Sequence, residues 1–121
     1  MKRALLAIAA GCAMAGAGAA QAHHSAAMFD REKTVTLTGT IKEFQWTNPH
    51  TWVQIEVENP GGPKVEWSLE GGGPSAMYRR GWRAGSLKPG DKVTITTHPL
   101  HSGQPGGSLM TVTFADGRTL S

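Results

Sequence analysis

The chain has 121 residues, 12 Lys plus Arg against 9 Asp plus Glu, a formal charge of +3 and one cysteine. That length suits one small domain. Two of the basic residues stand at positions 2 and 3 of an N-terminal leader, and without them the balance is 10 against 9, about +1, which excludes the broad basic footprint of a nucleic-acid binder.

Lys2 and Arg3 precede an Ala-rich apolar run from Ala4 to Ala19, and Ala20-Gln21-Ala22 ends it with the small-x-small pattern that signal peptidase accepts. The pattern predicts a secretory signal over residues 1–22 and a periplasmic or secreted product. The run is too short and small-residue-rich for a membrane span, so none is expected after signal removal. A competing pattern, Ala9-Ala10-Gly11-Cys12, resembles a lipobox in which Cys12 would be acylated, but Ala stands three before Cys12 where Leu is usual. Cleavage after Ala22 leaves 99 residues and no cysteine, hence no disulfide, thiolate ligand or cysteine nucleophile. The core alone must hold such a domain, and four tryptophans are available for it.

Residues 23–33 have no clear period and read as an N-terminal arm pinned by Met28 and Phe29. A β-domain is expected over 34–121. Thr34 to Ile41 alternates β-branched polar with apolar residues, the pattern of a half-buried strand with Val35, Leu37 and Ile41 inward. Phe44 and Trp46 fall on the opposite parity, so a bulge is predicted near Lys42-Glu43, with Gly39 easing the bend. Asn48-Pro49 makes a turn into a second strand, Thr51 to Glu58, and Asn59 to Pro63 forms a loop before a third, Lys64 to Glu70, with Val65, Trp67 and Leu69 inward. Gly71-Gly72-Gly73 ends the sheet, and Pro74 opens a short helix closed by Gly81. Leu87 to Asp91 turns into a fourth strand, Lys92 to Thr97. A polar loop from Pro99 to Gly107 precedes a fifth, Ser108 to Phe114, and a short tail follows. This order is that of a mainly β, five-stranded OB-fold-like barrel with one helix between strands three and four. A β-sandwich-like domain is the alternative, because element order alone does not prove closure.

Ala22-His23-His24-Ser25, Thr36-Leu37-Thr38-Gly39-Thr40, Trp46-Thr47-Asn48-Pro49-His50, Arg79-Arg80-Gly81-Trp82 and Ser86-Leu87-Lys88-Pro89-Gly90-Asp91 together resemble a family of small exported bacterial proteins of unknown function. The resemblance spans nearly all of the mature chain. It implies export and a compact β-rich domain, and it supplies no activity.

Function must therefore be read from the residues. A mature chain beginning at His23 would offer one metal its α-amine and imidazole together, and a second imidazole would complete a T-shaped, three-nitrogen, brace-like site suited to copper. His24 is a further ligand or an outward neighbour. His50 is the expected second imidazole, carried on the Asn48-Pro49 turn with Trp46 and Trp52 as pocket wall. Glu70, at the same pole of the sheet, is a second-shell carboxylate or axial ligand. Against this, polar residues are common in frayed termini, and His50 could simply bond locally. His98 and His101 read as loop histidines, and Arg79, Arg80, Arg83 and Lys88 as a basic group beside Trp82 that could receive an anion or acidic partner. No serine lies in a G-x-S-x-G context, and there is no phosphate loop or H-E-x-x-H, so nothing points to an enzyme. The leading expectation is an exported copper-binding protein, with a periplasmic protein as a further partner. The alternative is an OB-type module for an oligosaccharide, peptide or protein with no metal.

Overall fold

A computed structural model describes residues 26–121. The expected signal and the two terminal histidines, His23 and His24, lie outside the described residues. Among those described, β1 (Val35–Gln45), β2 (Trp52–Val57), β3 (Val65–Glu70), a short helix α1 (Pro74–Arg79), β4 (Lys92–Pro99), β5 (Gly106–Phe114) and β6 (Thr119–Leu120) follow in chain order.

Closure comes from one pairing. Strands β3-β2-β1-β4-β5 are antiparallel neighbours, and β3 then pairs with β5 in parallel through Ser68–Gly106, Leu69–Gly107 and Glu70–Ser108. The five strands thus form a closed barrel of OB topology. A closed ladder leaves no strand edge between β3 and β5, and the sandwich alternative is overturned. The expected tail is instead a sixth strand, with Leu120 opposite Val112 and Thr119 opposite Thr113.

The parity change in β1 is resolved by a bulge at Lys42: Ile41 faces Ile55 and Glu43 faces Gln54, leaving Lys42 without an opposite number. One inserted residue returns Phe44 to the inner face, opposite Val53. There Phe44 meets Trp46 edge-on at 5.7 Å and Trp82 at 5.8 Å. Gly39 lies where β1 bends around the barrel, and a Cβ there would run into the Glu56 carbonyl.

Leu37, Ile41, Val53, Ile55, Leu69, Ile95 and Val112 fill the barrel. Met77 from α1 and Trp82 just beyond it join the same core, each 1% exposed. At about 25 cal/mol per Å² of apolar surface, aliphatic and aromatic side chains of this kind each contribute roughly 1.5–3 kcal/mol on burial. Val65 departs from the expected inward row: at 36% exposure it sits at the start of β3, paired with Val57 but beyond the reach of the closing strand.

Candidate functional site

The loop between β1 and β2 is held from within and from across. Thr47 donates its hydroxyl to the His50 carbonyl at 2.7 Å, and the Asn48–Pro49 peptide is cis. Thr51 is fully buried; its N–H and its hydroxyl both donate to the Gly72 carbonyl, at 3.0 and 2.9 Å, and the Gly71 N–H donates back to its carbonyl at 2.8 Å. The sequence reads the three glycines as a sheet breaker, and the structure adds why they are glycines. A Cβ on Gly71 would strike Thr51 Oγ1, and one on Gly73 would lie 2.9 Å from the Pro49 carbonyl oxygen. The loop carrying His50 is therefore pressed against the β3–α1 connection, which leaves the imidazole beside the end of β3.

His50 Nδ1 lies 2.7 Å from Glu70 Oε1. A carboxylate can only accept, so the contact puts a proton on Nδ1, and in the neutral ring the lone pair then falls to Nε2. Strand alternation sends Leu69 into the core and Glu70 to the other face, opposite Trp52, yet the Glu70 side chain is only 10% exposed against 40% for His50.

Both side chains line a cleft of about 370 Å³. The arm supplies another part of its wall. Phe29, buried, forms a bridge with Leu100, extending the ladder beyond β4. The Asp30 N–H donates to the Pro99 carbonyl at 2.8 Å and the His101 N–H to the Met28 carbonyl at 2.9 Å. So tethered, the arm brings Ala26, Phe29 and Arg31 to the cleft, and Arg80 reaches it from the end of α1.

The expected site residues thus separate into two groups. His50 and Glu70 come together. Asn48 is exposed in the turn. Trp46 and Trp52 are not part of the cleft wall: the Lys42 bulge sends Trp46 inward with Phe44 to pack on the core, and Trp52 stands half-buried between Gln45 and Glu70 on the ladder. Phe29 and Leu109 supply the apolar wall instead. Sequence reading missed Arg31, which carries no motif and reaches the cleft only because Phe29 is tethered. His98 Nδ1 lies 2.7 Å from the Lys33 carbonyl and His101 Nδ1 lies 4.0 Å from Asp30, and neither is on the cleft wall. Of the basic group, Arg83 donates to the Tyr78 and Trp82 carbonyls and stacks 3.8 Å over Tyr78.

No group of three or more His, Cys, Asp or Glu among the described residues could hold a metal ion. No helix among the described residues is long and apolar enough to cross a membrane.

These features define a small closed β-barrel of OB topology with a polar cleft built from an N-terminal arm, the β1–β2 loop and the end of β3. A family model described as "Family of unknown function (DUF6152)" matches residues 12–109, and the chain belongs to that family. No curated protein matches it.

Proposed function

We propose that the mature protein is an exported, single-domain metal binder that holds copper through the α-amine and imidazole of His23 and through Nε2 of His50. The observation carrying this reading is that Ala26 and His50 line one cleft. Ala26 stands three positions after His23, a reach of at most about 11 Å, so a chain starting at His23 would begin close to the cleft that His50 lines. Glu70 supports the same reading. By accepting the Nδ1 proton it fixes the tautomer that turns Nε2 outward as a donor, the arrangement seen behind metal-bound histidines. Nitrogen donors without thiolate suit Cu(II), which heads the divalent affinity order. His24 serves as a further ligand or an outward neighbour, and a periplasmic partner would load or unload the site.

Mass spectrometry of the exported protein, followed by copper titration of wild type and His23→Ala, tests the proposal. A mature chain beginning at His23, with tight one-to-one binding lost in the variant, is the expected result. A chain beginning at Cys12, or equal affinity in both proteins, would falsify it.

A second reading rests on a different groove. Leu37, Val57, Val65, Trp67 and Pro105, with Glu58 and Asn59 beside them, line a second recess of about 330 Å³. If copper does not bind, this recess is where an oligosaccharide, peptide or protein ligand of an OB-type module would dock.

A further inference from the structure

We infer that the His50 cleft also receives a small oxyanion, clamped by Arg31 and Arg80. This goes beyond the metal reading and does not depend on it.

The two guanidinium groups come from separately fixed elements. Arg31 follows the Phe29–Leu100 bridge by two residues, and Arg80 caps α1 with its N–H donating to the Met77 carbonyl at 3.0 Å. Both side chains line the cleft, and neither makes a hydrogen bond or ion pair with any described residue. Arg83 is engaged with two carbonyls and the Tyr78 ring and Arg118 with Asp116 at 2.7 Å, while Arg79 is not on the cleft wall. A guanidinium is always charged, and its planar fork matches the oxygens of carboxylate or phosphate.

Charge and size point the same way. Glu70 is the one carboxylate on the cleft wall among the described residues, and His50 Nδ1 lies against it at 2.7 Å. Two permanent cations against one engaged carboxylate leave the cleft with an excess of positive charge. A bound anion lowers that excess. The volume, about 370 Å³, is within the range of small-molecule pockets. Ser108, also on the wall, adds a neutral hydroxyl donor of the kind that orients such a ligand.

The shared chemistry is a small oxyanion, and its two sources are a phosphate and a di- or tricarboxylate. Chelator-stripped full-length exported protein is titrated calorimetrically with inorganic phosphate and, separately, with citrate. The buffer has an ionic strength on the order of 10 mM, where charge interactions are least screened. One-to-one binding of either probe, weakened about tenfold or more in both Arg31→Gln and Arg80→Gln, is expected from the loss of a charge-assisted bond. The probe that binds identifies the source. Both arginines are exposed, so the variants fold, which thermal unfolding verifies. No heat from either probe, or affinities unchanged in the two variants, overturns the inference. Because no metal is present, anion binding can survive a failed copper titration, and copper binding can survive a failed anion titration.

Discussion

Glu70 and His50 meet at 2.7 Å across two chain segments that the sequence separates by twenty residues. The contact exists because β2 and β3 pair in register, Trp52 opposite Glu70, and because the loop before β2 is pinned to Gly71 and Gly72. If Glu70 orients His50 as a ligand, Glu70→Gln should weaken copper binding by about 10- to 100-fold while leaving the unfolding transition nearly in place. Competition titration against a chelator of known affinity reads the first quantity and thermal melting the second. An unchanged copper affinity would mean that the carboxylate serves the loop and not the metal.

The glycines behind that loop give a separate test. Gly71→Ala places a methyl group against Thr51 Oγ1, and Thr51 is fully buried with its hydroxyl on the Gly72 carbonyl. The loop must move or the hydrogen bond must break, so a loss of about 1–3 kcal/mol is expected. Urea denaturation measures it. Gly81→Ala supplies the contrast, since its strain comes from a φ of +93° with open space around it, and it should leave the His50 resonances where they are.

Much of this architecture was legible before any coordinates. The switch of parity between Ile41 and Phe44 required an irregularity, and Lys42 supplies it. Strand order and the Pro74 helix start were equally readable, because alternation and turn chemistry are local signals. Closure was not. The β3–β5 pairing joins Leu69 to Gly107, and nothing in either strand's own pattern names its partner. For the cleft, the meander placed Glu70 and the His50 loop at one pole. Arg31 and Phe29 stayed hidden, since an arm without a period gives no clue to where its backbone bonds go. The tryptophans misled for a related reason: flanking His50 in sequence, they face the core and the ladder in space.

The arm also carries a pH response. Lys33, 3.1 Å from Asp30, donates the hydrogen bond that chiefly holds the Asp30 carboxyl below its ordinary 3.8, against the opposing effect of desolvation and with smaller help from the Glu32 N–H and from His101. A depressed folded-state value favours the folded arm above about pH 4, and this contribution disappears as pH falls through the lowered value. Hydrogen-exchange protection of the Asp30 and His101 amides, which bond across to Pro99 and Met28, should therefore fall between pH 5 and pH 2 more than that of Ile95 in the core. Asp30→Asn should abolish the difference. Equal pH profiles for arm and core amides would show that the Lys33 contact does not hold the arm.

Phe29 decides whether the arm matters to function. It is buried beside Leu100, and it is the arm's apolar anchor, since Met28 is 50% exposed. Phe29→Ala should cost about 3 kcal/mol locally, enough to release the bridge while the barrel, held by Leu37, Ile55, Ile95 and their neighbours, stays folded. If His23 is a copper ligand, a docked arm offers it to His50 at the high effective concentration that a short tethered segment imposes, and a released arm does not. Copper affinity should accordingly drop at least about tenfold in Phe29→Ala, with the His50–Glu70 contact intact by the chemical shifts of the His50 ring. Retained affinity with a demonstrably freed arm would place the copper ligands elsewhere. The same variant reads on the anion as well: Arg31 leaves the cleft with the arm while Arg80 remains on α1, so oxyanion binding should weaken as it does in Arg31→Gln and no further.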